Sequence, residues 1–150
     1  NIFFQGSQGN DVFNGSRLFL ESLQGGDNQL EVINDRWQQP GDITNIPAAT
    51  NDPEQAASNV RVSSRFIEDG SYLRLKNLTL GYNFHIGDRL KNSISGFRVY
   101  FTGQNLFTLT KYSGLDPEVN YRGNDNAVIG TDFFTFPQAR IYSFGLNLTF

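Results

Sequence analysis

The last eleven residues of the chain alternate between apolar and polar or small side chains. A period of two predicts an extended strand over 140–150 with one apolar face. The apolar face reaches the final residue, and an aromatic end to a strand of about 9–11 residues is typical of a membrane-crossing strand. A half-buried strand of a β-sandwich shows the same pattern, so this stretch leaves both structures open. The apolar positions are Tyr142, Phe144, Leu146, Leu148 and Phe150, and Ser143, Gly145, Asn147 and Thr149 alternate with them.

Similar alternation predicts strands over 71–84 and 96–110, and the residues near 1–5 (NIFFQ) resemble the end of another strand. In the first of these, Leu73 and Leu75 have the opposite parity to the apolar residues that follow Lys76. Such a switch predicts a β-bulge or a change of environment near Lys76. The apolar positions of the two longer strands are Leu78, Leu80, Tyr82, Phe84, Phe97, Val99 and Phe101.

Two long excursions separate these strands, over 6–70 and 111–139. Three- and four-residue spacing of apolar residues predicts short helices over 12–23, ended by Gly25 and Gly26, and over 28–37. The polar stretch 38–59 reads as irregular loop. Excursions of this length are uncommon in compact domains and are usually functional.

Composition narrows the class of protein. The chain has fourteen Phe and six Tyr with only 38% hydrophobic residues, as expected where aromatic girdles replace a thick core. A net charge of −3 gives no support for a nucleic-acid partner. There is no Cys and no run of about eighteen apolar residues, so disulfides and a transmembrane helix are excluded. Because the chain begins abruptly at Asn1, we expect it to be the carboxyl-terminal piece of a longer protein.

The strands favour a membrane barrel over a sandwich. A sandwich would need further strands to cover the apolar faces, and too few are predicted, whereas in a barrel those faces meet lipid. The short link at 85–95 and the two long loops also match the periplasmic turns and extracellular loops of outer-membrane barrels. We therefore predict an all-β chain that supplies the last strands and extracellular loops of a large antiparallel transmembrane β-barrel. Leu78, Leu80, Val99, Phe101, Leu146 and Leu148 are expected to face lipid.

Several motifs resemble one family. They are EDGSYLRLKN with LTLGY at 68–82, GQNLFT at 103–108, YSGLDPE at 112–118 and FPQAR at 136–140, together with DRW at 35–37 and IP at 46–47. With these motifs, nearly the whole chain resembles the carboxyl-terminal end of a SusC/RagA-type TonB-dependent outer-membrane transporter. One departure is Ala48-Ala49 after the IP motif, where a basic residue is often found.

The resemblance implies a Gram-negative outer-membrane barrel of about 22 strands with a plugged lumen. It also implies a SusD-like lipoprotein lid, TonB as the energy source, and import of oligosaccharides or oligopeptides. The plug, the TonB-contacting segment and the signal sequence would precede Asn1. In barrels of this kind the aromatic end of the last strand is an assembly signal, which assigns that role to Phe150 and the alternating residues before it.

Candidate ligand contacts lie in the loops. Trp37 can stack on sugars or peptide side chains, and Arg36 offers forked donors, although packing within the loop explains both equally well. Tyr112 and Asp116 of the YSGLDPE motif are further candidates, and Pro117 makes a rigid loop corner the simpler interpretation of Asp116 and Glu118.

No catalytic group, metal ligand set or cofactor is predicted. The single histidine, His85, lies in a turn, and the acidic residues around Asn124 lack the spacing of a calcium loop. Two alternative functions stay open: an outer-membrane barrel enzyme and a secreted β-sandwich binding module.

Overall fold

A computed structural model describes residues 1–24, 28–87, 94–123 and 125–150. The chain divides into two compact units, each described by itself. The first, called the sheet unit, comprises Asn1–Gln8, Ser71–Lys111 and Pro137–Phe150. The second, called the loop unit, comprises Gly9–Gly70 and Tyr112–Phe136.

Strands dominate the described residues. In chain order the elements are β1 (Ile2–Ser7), β2 (Asp11–Asn14), α1 (Ser16–Leu20), α2 (Pro53–Asn59), β3 (Ile67–Asp69), β4 (Tyr72–Phe84), β5 (Gly96–Thr110), β6 (Thr131–Asp132) and β7 (Ile141–Thr149). Short 3₁₀ turns lie at Glu31–Asp35, Ser64–Phe66 and Asn126–Val128. No helix in the described part of the chain is long and apolar enough to cross a membrane.

The sheet unit is one antiparallel sheet in the order β1-β4-β5-β7. Its strands lie close to the stretches in which apolar residues alternate, because two-residue periodicity places one whole set of side chains on one face. The register aligns these sets across three strands. The rows are Leu78–Gly103–Tyr142, Leu80–Phe101–Phe144, Tyr82–Val99–Leu146 and Phe84–Phe97–Leu148.

The opposite face of the sheet is polar or small. Its rows are Thr79–Thr102–Ser143, Gly81–Tyr100–Gly145 and Asn83–Arg98–Asn147. A Cβ atom on Gly145 would lie within 2.5 Å of three atoms of the Tyr100 side chain, so that side chain lies directly across the glycine. Arg98 lies across Gly81 in the same way, because a Cβ atom there would be 2.8 Å from its Nη2 atom.

The parity switch near Lys76 coincides with an irregularity in two strand pairs. β4 carries one extra residue relative to β1, since Phe3 pairs with Asn77 and Phe4 with Leu75. β5 bulges at the same level, where Asn105 has a positive φ of 51° that Asn tolerates better than most residues. The predicted bulge is therefore present, and it realigns Leu75 with the apolar Phe4.

The loop unit has its own small sheet in the order β3-β2-β6. β2 pairs antiparallel with β3 and parallel with β6, which is more than a hundred residues away in the sequence. Val12, Tyr112 and Val119 form its buried apolar cluster. Two segments distant in sequence thus fold against each other.

The helix prediction over 12–23 is wrong in its first part. Val12 and Phe13 are extended in β2 because their backbone groups pair with β3 and β6, which overrides local helical spacing. Only α1 is helical there, and Gly25 and Gly26 lie outside the described residues.

Two other assignments also change. The predicted helix over 28–37 is a single 3₁₀ turn at Glu31–Asp35. The stretch 38–59, predicted to be irregular, contains α2, which is capped by the Asp52 side chain accepting from the Glu54 N–H at 3.0 Å. Pro53 begins this helix, where its missing N–H costs nothing.

Candidate functional site

A network of four charged side chains organises the loop unit. Arg17 on α1 bonds both carboxylate oxygens of Glu21 one helical turn later and reaches Glu68 on β3, with 3.0 Å between Nη1 and Oε1. Arg65 lies 3.6 Å from Glu21. The Glu21 side chain is 1% exposed, so these cations compensate a carboxylate that is removed from water.

Phe66 connects this network to the interior. Its ring is fully buried, and the guanidinium carbons of Arg65 and Arg17 lie 4.4 and 5.8 Å from its centroid. Cations over an aromatic face are attracted by the ring quadrupole. The ring therefore helps to hold the guanidinium of Arg65 in place.

Glu68 joins β3 to the second long loop. Its carboxylate accepts the Ser113 N–H at 2.8 Å, the Ser113 hydroxyl at 2.8 Å and the Asn14 side-chain amide at 3.0 Å. Burial raises the pKa of Glu68, but the hydrogen bonds from Ser113, Arg17 and Asn14 together outweigh burial and hold the pKa below its ordinary value of 4.5. The ionised carboxylate is thus the form that fits this site.

An open cleft of about 660 Å³ lies in the loop unit, a size typical of small-molecule sites. Trp37, Ile46, Pro47, Ala48 and Val62 supply its apolar surface. Its polar groups come from Thr44, Asn45, Ser58, Asn59, Arg61, Ser63 and Arg65.

Hydrogen bonds between its walls hold the cleft in shape. The backbone N–H of Trp37 donates to the Ile46 carbonyl at 3.0 Å, and the side-chain amide of Asn59 donates to the Ala48 carbonyl at 3.0 Å. Arg65 Nη2 lies 3.4 Å from the Asn59 carbonyl oxygen. Three separate stretches of chain are therefore fixed to one another before any ligand arrives.

The ionisable residues that line the cleft are arginines although the chain is acidic. Arg61 and Arg65 line it, and no Asp or Glu is among its lining residues. Arg65 is already engaged by Glu21, Phe66 and Asn59. Arg61 is exposed, and its guanidinium has no hydrogen-bond or ion-pair partner within the ranges that the structure describes.

The structure separates the two adjacent residues that the sequence proposed as ligand contacts. Trp37 lines the cleft and is 40% exposed, so part of its ring is available. Arg36 instead lines a different depression of about 590 Å³ with Asp35 and Asp42. The cations near Trp37 are Arg61 and Arg65, which sequence reasoning missed because they lie far from Trp37 along the chain.

Tyr112 and Asp116 are interior residues of the loop unit. Tyr112 is 5% exposed, and its hydroxyl donates to Asp132 at 2.6 Å. Burial and this hydrogen bond raise its pKa. Asp116 is buried and accepts the Glu118 N–H at 2.9 Å, as expected for a rigid corner. Cargo contact by these two side chains stays a prediction, and the surface proposed below leaves them out.

The apolar face of the sheet unit is uncovered. Phe144 and Phe150 are 81% and 85% exposed, and Tyr142, Leu146 and Leu148 are also exposed. Leu80 is exposed too, while Leu78, Val99 and Phe101 are half-buried by their neighbours. Within the part of the chain that the structure describes, this face lacks the cover that the second sheet of a β-sandwich would give.

Metal chemistry finds no support in the described part of the chain, where no three His, Asp or Glu side chains group as a metal site. Its chemistry is that of binding surfaces: an exposed aromatic sheet face, and a cationic cleft beside an indole. An antiparallel sheet with one apolar and one polar face is typical of the class of membrane proteins that span the bilayer with β-strands.

Comparisons with known proteins identify the relatives within this class. No family model matches the chain. It is 38% identical over its full length to "TonB-dependent receptor P3" of Formosa agariphila, of which it covers 15%. Over 59% of its length it is 40% identical to "TonB-dependent receptor SusC" of Bacteroides thetaiotaomicron, of which it covers 8%.

Solved structures agree with the sequence comparison. The chain superposes on the RagAB peptide transporter with a TM-score of 0.73 and 29% identity, over 99% of this chain and 15% of that one. The chain is therefore a homologue of SusC/RagA-type TonB-dependent receptors, and the predicted resemblance is confirmed. It spans 15% of the length of the P3 receptor and of the RagAB chain. These relatives are named as receptors and transporters rather than enzymes.

Proposed function

We propose that this chain is part of an outer-membrane transporter that imports oligosaccharides or oligopeptides with energy from TonB. The sheet unit supplies the last strands of a barrel of about 22 strands, and the loop unit supplies extracellular loops. The observation that carries this proposal is the aligned set of apolar rows across β4, β5 and β7, which stays exposed at its edge strand.

Lipid is the environment in which such a face is favourable. An exposed apolar face of this size in water would be an aggregation hazard, whereas in a membrane it meets acyl chains. The opposite face, which consists of polar side chains and glycines, suits a hydrated lumen. In this arrangement Tyr142, Phe144, Leu146, Leu148 and Phe150 face lipid and form the assembly signal.

The loop unit supports the partner assignments. Long loops on a rigid barrel are where binding is expected, and here they form a folded unit with its own sheet and ion-pair network. We propose that this unit contacts a SusD-like lipoprotein lid and the cargo, with TonB engaging another part of the full transporter. Nucleic acid has no role in this function.

Site-directed labelling of the full-length transporter in its native membrane tests the proposal. The segment has no Cys, so Phe144→Cys and Ser143→Cys introduce single thiols on opposite faces of β7. Phe144→Cys should react with a lipid-soluble maleimide only, and Ser143→Cys with a water-soluble maleimide. Equal reaction of both thiols with the water-soluble reagent would refute the membrane assignment.

Transport is tested separately with radiolabelled oligosaccharide and oligopeptide mixtures. Uptake should require the transporter gene, an intact TonB and a proton gradient. Uptake that persists without TonB would refute the proposed mechanism.

A further inference from the structure

We propose that the cleft between Trp37 and Arg61 binds a carboxylate group carried next to an apolar ring or side chain of the cargo. The inference deepens the proposed transport function and rests on it. It names the chemical class of cargo that the loop unit selects, namely anionic oligomers.

The cleft is lined by cationic and not by acidic side chains. Its ionisable lining residues are Arg61 and Arg65, although the chain as a whole has a net charge of −3. Arg61 therefore offers a local cation in a cleft that no carboxylate lines. A carboxylate ligand is the group that complements it.

The two arginines of the cleft differ in how far their guanidinium groups are available to a ligand. Arg65 Nη1 lies 3.6 Å from Glu21 Oε2, and its guanidinium carbon lies 4.4 Å from the Phe66 ring centroid. Arg65 is therefore mainly a structural residue of the cleft. Arg61 is exposed, and its guanidinium has no ion-pair or hydrogen-bond partner in the described residues. Its forked N–H groups match a carboxylate in two-point geometry. Arg61 is therefore the anion-binding residue.

An apolar surface lies in the same cleft as Arg61. The partly exposed indole of Trp37, with Pro47 and Ala48, gives an apolar surface in the same cleft. An indole stacks on the apolar face of a sugar ring or on a peptide side chain. A uronate residue and a peptide with a free carboxylate both present an apolar surface next to a carboxylate. The cleft recognises this shared chemistry.

Hydrogen bonds hold the backbone of the cleft in place. Trp37 is tied to Ile46, and Asn59 is tied to Ala48, each by a 3.0 Å hydrogen bond. The backbone that carries Trp37 and the apolar wall is therefore already in place before binding, which favours affinity.

The test uses purified full-length transporter and isothermal titration calorimetry with four probes. One pair is trigalacturonate and neutral galactotriose; the other is an alanine-rich hexapeptide with a free carboxyl end and the same peptide amidated. We expect at least one acidic probe to bind about tenfold more tightly than its neutral counterpart. Preference within the sugar pair identifies an acidic glycan as the source, and preference within the peptide pair identifies a peptide carboxylate.

Variants then assign the preference to the cleft. Arg61→Gln should abolish it by weakening the acidic probe about tenfold while leaving the neutral probe unchanged. Trp37→Leu should weaken both members of the preferred pair. The matched control is Arg36→Gln, which removes the same charge from a neighbouring depression and should retain the preference.

Two results would overturn the inference: equal binding of acidic and neutral probes, or a preference that survives Arg61→Gln. Neither result affects TonB-dependent uptake, so the transport proposal would stand. Loss of TonB-dependent uptake of all cargo would instead refute that proposal.

Discussion

Replacing Phe144 by Arg tests the central structural assignment, that the apolar face of the sheet unit lies in lipid. Phe144 lies near the middle of β7, in the row Leu80–Phe101–Phe144. Its ring centroid is 5.0 Å from that of Phe101, and the residue is 81% exposed. The substitution therefore removes one aromatic contact and directs a charge away from the sheet.

Two terms set the size of the effect. An Arg on the lipid face near the bilayer midplane costs about 2–4 kcal/mol, and loss of the aromatic pair costs about 0.5–1.5 kcal/mol more. We expect a destabilisation of roughly 3–5 kcal/mol, which corresponds to a factor of more than 100 in the folding equilibrium. In water, by contrast, a residue so exposed would tolerate Arg with little cost, within about 0.5 kcal/mol.

The folded fraction is measured by extracting outer membranes that contain the full-length transporter and comparing its gel mobility with and without heating. Ser143→Arg is the matched control, because it adds the same charge one residue earlier on the polar face, opposite Thr102. We expect Phe144→Arg to lower the folded amount strongly and Ser143→Arg to lower it little. Equal amounts of both variants would refute the assignment of the two faces.

Three further predictions concern the loop unit and the chain end. The pKa of Glu68 is lowered in the folded state, so the ionised Glu68 stabilises the fold fully above about pH 4.5, and this stabilisation is lost as the pH falls through the folded pKa. Glu68→Gln should therefore increase proteolysis of the loop unit near neutral pH. The difference in proteolysis between this variant and the wild type should shrink in acid. Tyr112→Phe removes the buried hydrogen bond to Asp132 and should lower the free energy of unfolding by about 1–3 kcal/mol in a denaturant titration; an unchanged midpoint would contradict this. Deleting Phe150 should reduce the amount of heat-modifiable transporter but not the uptake per folded molecule, and normal amounts would show that this residue is not an assembly signal.

The long strands could be predicted from sequence because their signal is local. Alternation over 9 to 15 residues defines β4, β5 and β7, and even the bulge was visible as a parity switch at Lys76. The second bulge at Asn105 was visible only as a break in alternation above Gly103. Its geometry depends on pairing with β4, which a single strand does not encode.

The small sheet of the loop unit was not predicted, for the opposite reason. β2, β3 and β6 have two to four residues each, too short to show a period. Their stability comes from pairing between segments far apart in sequence, as between Phe13 and Thr131. The helix α2 was missed despite a local signal, the Asp52-Pro53-Glu54 sequence that caps it.

Prediction of the candidate cleft from sequence is limited in the same way, because the cleft depends on contacts between residues far apart in the chain. Trp37 could be proposed from its chemistry alone, since an isolated indole in a polar loop is a common ligand contact. Arg61 could not, because its relation to Trp37 depends on the hydrogen bond between Asn59 and Ala48 that closes the intervening chain. Arg36, next to Trp37 in sequence, lines a different depression.

The distribution of charge between the units determines how the Arg61 cleft can act. The loop unit contains fourteen Asp and Glu against five Arg, and the sheet unit contains seven Lys and Arg against one Asp. An anionic cargo approaching the loop unit therefore meets net repulsion, which is screened beyond about 8 Å at physiological ionic strength. Attraction by Arg61 acts only near contact. Distant charges mainly change association rates and direct contacts mainly change dissociation rates. Arg61→Gln should thus release the acidic probe faster in stopped-flow measurements while its association rate changes little, and a slower association alone would show that Arg61 acts by long-range steering instead.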